Sequence, residues 1–280
     1  MPCRIFTYDI VTGERSLVHT STSVHFEAPN WTAADMLIVN GDGLLWALPA
    51  DGTGEPRRIP LHGIPEINND HVLAPGHETI YLSANDGHLY RAPLAGGTAR
   101  RITFDDTRRH FLHGVSPDGT RLAYVGVDRP DWSTASLLTV GVDGTGTTRV
   151  TPVGGVDDGP EYTPDGAWLH FNTERFSPGH AQIARIRPDG SDLQQLTDDE
   201  RVNWFPHFAP DGRHAVHLSY PPGTRGHPGD LPVELRLVEG DDWRSPRTVV
   251  ALHGGQGTIN VNSWSTDSRR FAYVDYPATR

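Results

Sequence analysis

The stretch VSPDGTRLAYVGV (residues 115–127) decides the fold, because its pattern returns along the whole chain. It combines the end of one strand, a Pro-Asp-Gly turn and a second β-rich strand. Proline presets φ at such a turn, and glycine tolerates a positive φ. The other copies are YTPDGAWLHFNTE (residues 162–174), FAPDGRHAVHLSY (208–220) and WSTDSRRFAYVDY (264–276), with weaker copies in WTAADMLIVNG (31–41) and LAPGHETIYLSAN (73–85).

The six copies recur at the spacing of a propeller blade. Aligned on the proline of the turn, they stand at positions 33, 75, 117, 164, 210 and 266, which are 42, 42, 47, 46 and 56 residues apart. A four-stranded blade takes about 40–50 residues. No long segment keeps the 3.6-residue period of an amphipathic helix. The sequence therefore predicts an all-β fold, a six-bladed β-propeller of four-stranded blades. Seven blades are the alternative, without a seventh turn motif to support them.

The two ends of the chain are predicted to share the last blade. The final copy stops after two strands, while CRIFTYDIVTGE (residues 3–14) and RSLVHTS (residues 15–21) look like a third and a fourth strand. We expect one domain over residues 1–280, in which about 258–280 and 1–21 together form blade six. Such closure removes the open sheet edge that invites aggregation.

Composition excludes several classes of partner. A formal charge of −11 and the lack of any basic run argue against nucleic acid, since binding phosphates needs clustered cations. No window approaches the ~20 apolar residues of a membrane span. The N-terminus lacks the apolar stretch of a secretory signal, so we expect a cytoplasmic protein. Cys3 is the single cysteine, which excludes an internal disulfide. We expect a monomer.

Polar segments precede every turn, where the innermost strand of each blade should line the central channel. So many buried donors and acceptors have no rationale in stability alone. We therefore predict a ligand site in a polar mouth; the alternative is that these groups bond one another and ordered water. The segments are HFEAPN (residues 25–30), NNDH (68–71), RHFLHG (109–114), DDGPE (157–161), NWFPH (203–207) and QGTINVN (256–262).

Three roles are predicted within these segments. Crowded carboxylates and histidines suit acid–base work, which makes Glu27, His113, Asp158, Glu161 and His207 the candidate catalytic residues. Three imidazoles and an amide oxygen on a common axis could bind one divalent metal, Mn, Zn or Ca. The predicted ligands are His71, His113, His207 and Gln256, although His207 lies one position out of register. The predicted substrate-binding residues are His25, Asn30, Asn69, Asp70, Asp157, Asn203, Trp204 and Asn260.

Two of these residues have an equally plain structural interpretation. Asp157 could cap a turn by accepting hydrogen bonds from backbone N–H groups. Trp204 could be a stacking platform for a sugar ring or could pack between blades.

The strings SPDG, TPDG and APDG resemble the propeller repeat of the Tol-system protein TolB, which also occurs in oligogalacturonate lyases and in prolyl oligopeptidase-type propellers. HFEAPNW, NNDH, DDGPEY, NWFPHF and GGQGTIN are similar to stand-alone bacterial TolB-like proteins. TolB proteins are periplasmic and carry an α/β domain before the propeller, and neither feature is visible here. The string GVSPD (residues 114–118) lacks the last glycine of the G-x-S-x-G elbow of serine hydrolases.

Two functions follow as hypotheses. Oligogalacturonate lyases bind a catalytic metal through three His and one Gln. The resemblance to them implies a small-molecule enzyme for a carbohydrate or uronate-like substrate, with a metal-assisted lyase as the specific reaction expected. Asn stands here where that family offers His after Gln256. The alternative is a non-catalytic TolB-like propeller that binds a protein or a sugar.

Overall fold

The computed structural model describes residues 2–129 and 131–277, which form antiparallel sheets arranged as the blades of a propeller. The chain begins with β1 (Cys3–Asp9) and β2 (Arg15–Ser21). The first blade comprises β3 (Phe26–Trp31), β4 (Met36–Gly41), β5 (Leu44–Pro49) and β6 (Arg57–Arg58). The second blade comprises β8 (Ile67–Leu73), β9 (Thr79–Ala84), β10 (Leu89–Pro93) and β12 (Arg100–Arg101). Two short strands outside the blades, β7 (Leu61–His62) and β11 (Gly97–Thr98), pair with each other.

Three further blades repeat this order, with the first strand of each innermost. The third comprises β13 (Arg108–Val115), β14 (Arg121–Asp128), β15 (Ser136–Gly141) and β16 (Thr148–Arg149). The fourth comprises β17 (Asp158–Tyr162), β18 (Leu169–Thr173), β19 (Gln182–Ile186) and β20 (Gln194–Gln195). The fifth comprises β21 (Val202–Phe208), β22 (His214–Tyr220), β23 (Leu231–Glu239) and β24 (Arg247–Gly254). One-turn 3-10 helices stand at Trp132–Thr134 and Gln256–Thr258.

The last blade joins the two ends of the chain. β25 (Arg270–Asp275) pairs with β1, which in turn pairs with β2, and an isolated bridge between Trp264 and Phe271 marks the inner position. An ion pair between Arg4 and Asp275 ties the two termini together. The predicted six blades and their closure by the N-terminal strands are confirmed. Residues 278–280, the end of the range predicted for this blade, lie outside the described residues.

Side-chain chemistry fixes the repeated turn. In the third blade Asp118 Oδ1 accepts hydrogen bonds from the Ser116 hydroxyl and from the backbone N–H of Thr120, and Gly119 has a φ of 71°. Thr163 with Asp165, and Ser265 with Asp267, repeat this arrangement. The turn is therefore a local property of the sequence, which is why the repeat could be recognised without tertiary information.

The hydrophobic core lies between neighbouring blades. Val125 and Leu137 of the third blade, for example, pack with Leu169 and Phe171 of the fourth. Each blade thus buries one face against the next, and the ring leaves the inner strands to line its centre. Among the described residues the structure contains no helix with the length and apolar character needed to cross a membrane.

A bulge interrupts each of the five inner strands β3, β8, β13, β17 and β21. The pairing register shifts at Glu27/Asn30, Ile67/His71, Leu112/Gly114, Asp158/Glu161 and Trp204/His207. Ala28, Gly159 and Phe205 occupy the same place in three of these bulges, with φ values of 52°, 64° and 53°, and each precedes a proline. A bulge re-aims the side chains that flank it. One strand can therefore direct two polar residues to two different surroundings.

Candidate ligand-binding site

The innermost segment of the last blade, residues 256–262, crosses the middle of the ring instead of forming a strand. We call it the central segment. It contacts the inner strands of all five other blades. The contacts are Asn262 O with Asn30 Nδ2 (2.9 Å), Asn260 Nδ2 with Asp70 Oδ1 (2.6 Å), Asn260 O with His113 Nδ1 (3.4 Å), Asn262 Nδ2 with Glu161 Oε1 (2.7 Å) and Ile259 O with His207 Nε2 (2.9 Å).

The central segment separates two cavities on opposite faces of the ring. The upper cavity, about 560 Å³, lies away from the Pro-Asp-Gly turns. The lower cavity, about 240 Å³, lies at those turns and is bordered by Pro117, Pro164 and Pro210. His113 borders both. The upper cavity brings together eight of the predicted site residues: His25, Glu27, Asn69, Asp70, His113, Asp158, Gln256 and Asn260.

His113 lies between two aspartates at the floor of the upper cavity. Its Nε2 is 3.1 Å from Asp158 Oδ1 and 3.7 Å from Asp70 Oδ1, and all three side chains are buried. Burial alone would lower the pKa of His113, but the negative charges of Asp70 and Asp158 outweigh it, so that its pKa is raised. The imidazole is therefore favoured in its protonated form.

The two aspartates respond to the same site in opposite ways. Burial dominates at Asp70 and raises the pKa of its carboxyl, despite the attraction of His113. At Asp158 burial also acts upward, but the hydrogen bond from His113 and the charges of His113 and His227 prevail and lower its pKa. Asp158 Oδ2 lies 3.5 Å from His227 Nε2. The pair thus consists of one carboxyl that holds its proton more strongly and one that releases it more readily.

Hydrogen-bond acceptors without partners face this group. Asn260 Nδ2 donates to Asp70 Oδ1 and to Asn69 O, which fixes the orientation of the amide and leaves Asn260 Oδ1 without a partner among the described residues. Asn40 Nδ2 donates to Glu27 Oε2 at 3.2 Å, and Asn40 Oδ1 is likewise unmatched. Buried acceptors normally have a donor. The described residues around the upper cavity therefore provide fewer hydrogen-bond donors than acceptors.

Four predicted residues lie outside the upper cavity. Three of them, Asn30, Glu161 and His207, form hydrogen bonds with the central segment, while His71 acts on it through Asn30. His207 Nδ1 is 2.6 Å from Glu161 Oε2, and Glu161 Oε1 accepts hydrogen bonds from the backbone N–H of Phe208 and from Asn262. His71 Nδ1 is 2.7 Å from Asn30 Oδ1. Burial lowers the pKa of His71 to about 3. None of the four lines the upper cavity, so their observed contacts anchor the central segment.

Asp157, Asn203 and Trp204 are not among the residues that line the upper cavity. The Asp157 carboxylate accepts hydrogen bonds from the side chains of Thr151, Thr173 and Arg175. Asn203 bonds to Gln182, Asp199 and Ser219. Both residues therefore join neighbouring strands and blades, and the donors to the Asp157 carboxylate are side chains instead of the backbone N–H groups that a turn cap would use. Trp204 is buried beside His227, with ring centroids 4.5 Å apart, and does not line the upper cavity.

Comparisons with known proteins show the family to which this chain belongs. No family model matches the chain. The protein Atu1656 of Agrobacterium fabrum, itself uncharacterized, is 36% identical over 256 residues, which are 90% of this chain and 85% of the relative. The chain belongs to the family of Atu1656. A solved structure from Agrobacterium tumefaciens, provisionally assigned as TolB, has a TM-score of 0.92 at 34% identity and covers 100% of this chain and 99% of that one. The resemblance to TolB-like propellers is thus confirmed.

Oligogalacturonate lyases are more distant from this Atu1656-family member. One, solved in complex with manganese, has a TM-score of 0.61 at 16% identity and covers 90% of this chain and 73% of its own. At that identity the likeness concerns the fold alone.

The four predicted metal ligands do not surround one point. Both ring nitrogens of His207 face other partners, Glu161 and Ile259 O. Gln256 and His113 border the upper cavity, whereas His71 and His207 do not. Over residues 2–129 and 131–277, no three His, Cys, Asp or Glu side chains are grouped so as to hold a metal ion. The residues therefore do not fit the predicted divalent ion, and no chemical step is derived through one.

Several residues of the upper cavity escaped the sequence analysis of this family member. Asn40, Asp42 and Asn85 lie at the hairpins that follow the second strands of the first two blades, in the strings NGDG and ANDG. Phe111 and Trp132 stack with ring centroids 5.0 Å apart at the rim. His227 enters from the loop between β22 and β23. Phe111 lies on the inner strand β13 but has no polar group, and the other residues lie in or beside hairpins and loops, outside the polar inner-strand segments. The exposed side chain of Trp132 is the sequence signal that could have indicated this rim.

Proposed function

We propose that the upper cavity binds a small ligand rich in hydrogen-bond donors, a polyhydroxylated or amine-bearing molecule of sugar size. The observation that carries this proposal is the excess of acceptor groups in the lining, where carboxyl groups stand beside amides and no Lys or Arg is present among the described residues: Glu27, Asn40, Asp42, Asn69, Asp70, Asp158 and Asn260. A ligand hydroxyl or ammonium group would satisfy them. The alternative function inferred from the sequence, a sugar-binding propeller, is therefore preferred over the lyase.

The charge of the cavity restricts the ligand further. Glu27, Asp42, Asp70 and Asp158 contribute four carboxyl groups, and no Lys or Arg is among the described residues that line the cavity. His113 is the lining group whose pKa is raised. An anionic ligand would meet like charges at close range. We therefore propose a neutral or cationic ligand, which departs from the uronate-like substrate expected from the lyase resemblance.

A second candidate function is acid–base catalysis on the bound ligand. The opposite pKa shifts of Asp70 and Asp158 favour it, because such a divergence assigns one carboxyl the role of acid and the other that of base. Asp70 would donate a proton to the ligand, Asp158 would accept one, and His113 would hold both carboxyls in place.

A matched sugar series tests the proposal. Galactose, galactosamine and galacturonate present neutral, cationic and anionic forms of one scaffold, and a set of polyols and polyamines extends the series. We expect the melting temperature to rise most with amine-bearing members, less with neutral ones and least with galacturonate. Preferred binding of galacturonate, or no shift with any member, would overturn the proposal.

Two variants locate the binding. Asp158→Asn should weaken binding of the preferred member about tenfold or more, since a hydrogen bond to a charged group contributes ~1.5–3 kcal/mol. Asp241→Asn is the control, because Asp241 is exposed and pairs with Arg185 outside the cavity. Equal affinities for the two variants would place the ligand elsewhere. Product formed by the native protein and not by Asp70→Asn would support the catalytic candidate.

A further inference from the structure

A side pocket of about 160 Å³ lies next to the upper cavity. Trp132, Asp158 and His227 border both spaces, so the two are separated by no more than these side chains. Beyond these shared residues the pocket is lined by Ala135, Val156, Asp157, Glu174, Trp204 and Gly226. The upper cavity is dominated by carboxylates and amides, whereas indole rings and aliphatic side chains form much of the side pocket.

Two of the three acidic groups that line the side pocket, Asp157 and Glu174, already have protein partners. Arg175 pairs with the Asp157 carboxylate, and Glu174 Oε2 accepts a hydrogen bond from the backbone N–H of Gly179 at 2.8 Å. Apolar surface therefore remains as the contact area. The volume is that of a single ring, since an apolar cavity of about 150 Å³ accommodates benzene.

Two polar atoms in the pocket wall lack partners among the described residues. Trp204 is 2% exposed and its Nε1 is unmatched, as is Nδ1 of His227. An indole N–H can only donate, so Trp204 needs an acceptor that the surrounding protein does not provide. Val156 has a φ of 46°, a strained conformation for a β-branched residue. Such strain gathers at sites with a functional demand.

We propose that the ligand of the upper cavity carries a ring-sized apolar group, which enters the side pocket between Trp132, Trp204 and Val156. The ligand is then an amphiphilic small molecule, whose hydroxyl or ammonium groups face Asp158 and whose ring faces the two indoles. This inference rests on the proposed function and specifies the ligand class of the same site.

Pairs of probes that differ by a ring provide the test. Phenethylamine is compared with ethylamine, and phenyl β-galactoside with methyl β-galactoside, by calorimetric titration of the full chain. We expect the ring-bearing member of the preferred pair to bind about tenfold tighter or more, as burial of one aromatic group implies. The amine pair and the galactoside pair distinguish the two sources of hydrogen-bond donors.

Variants assign the preference to the side pocket. Trp204→Phe replaces a lining indole with a smaller ring, and Ala135→Val reduces the volume. Each should lower the ratio of ring-bearing to ring-free affinity about fivefold. Trp243→Phe is the matched control, since Trp243 is also buried with an unmatched Nε1 but packs against His170 and His217, away from both cavities. It should leave the ratio unchanged.

The outcomes separate the two proposals. Equal affinities within each pair would overturn the side-pocket inference and leave the proposed function standing. A ring preference that Trp204→Phe and Ala135→Val do not reduce would also overturn it. Binding by none of the four probes would count against both.

Discussion

His207 and His113 are both buried histidines on inner strands within reach of a carboxylate, yet they serve different parts of the molecule. The His207–Glu161 pair is closed: both ring nitrogens and both carboxylate oxygens have protein partners, and the pair fastens the central segment. The His113 group is open: it borders a cavity of about 560 Å³ and adjoins the unmatched Asn260 Oδ1. The candidate site is therefore distinguished less by its residue types than by two other properties: it borders a cavity, and some of its polar atoms lack hydrogen-bond partners among the described residues.

Breaking the closed pair should have the largest effect. Glu161→Ala leaves His207 and Asn262 without their acceptor in a buried place, and removal of one partner of a buried pair costs about 3–5 kcal/mol. Urea unfolding measures the loss. The control is Glu27→Ala in the upper cavity, where the carboxylate is a quarter exposed and its bonds to Asn40 and Asn69 are 3.2 and 3.4 Å. We expect the control to lose about 1 kcal/mol. Equal losses would show that Glu161 has no special role.

A third kind of buried histidine has no hydrogen-bond partner among the described residues. His170 stacks on Trp243, with both ring nitrogens unmatched among the described residues, and burial lowers its pKa to about 3. A histidine whose pKa is lower in the folded protein destabilises the fold as the pH falls below about 6.5, the pKa in the unfolded chain. The reason is that the unfolded chain binds the proton at a higher pH than the folded protein does. Between pH 7 and pH 5 this should cost about 2 kcal/mol.

His170→Phe tests this cost, since phenylalanine keeps the stacking and removes the titration. Its free energy of unfolding should fall less between pH 7 and pH 5 than that of the native protein. Parallel curves for the two proteins would contradict the assignment to His170.

His113 should titrate with the opposite sign. Its raised pKa means that the protonated imidazole stabilises the fold below the unfolded value near 6.5, and that this contribution is lost as pH rises through the raised folded pKa. We expect stability to decline from pH 7 to pH 9 in the native protein and to decline less in His113→Gln. Affinity for an amine-bearing ligand should change in the opposite direction, because loss of the imidazolium charge leaves the cavity more negative. A flat native profile over this range would contradict the protonated state.

The ring of blades could be predicted from the sequence because its cause is local. Ser116, Asp118 and Gly119 form their turn from neighbouring residues, and the period of the copies then sets the number of blades. The path of residues 256–262 could not be predicted, since the segment is held by side chains from five other blades and not by strand pairing. Trp132 and His227 were missed because the irregular loops that carry them follow no periodic pattern.

The bulges decide which residues belong to which region, and they provide the prediction with the smallest effect. Glu27 precedes Ala28 and faces the upper cavity, whereas Asn30 follows it and binds the central segment. Asp158 and Glu161 flank Gly159 in the same way. The positive φ at this position thus separates the open group from the closed one, and a residue with a side chain is strained there.

Gly159→Ala and Ala28→Gly test this separation in opposite directions. A Cβ at Gly159 would lie 3.0 Å from Asn172 Oδ1 and from Phe205 Cδ1, in addition to the strain of its φ, so we expect a loss of about 1–2 kcal/mol. Ala28→Gly relieves strain but gives up a buried methyl group, and the two should nearly cancel, within about 0.5 kcal/mol. If Gly159→Ala also weakens ligand binding, the bulge positions Asp158; if it changes stability alone, Asp158 keeps its place without that conformation.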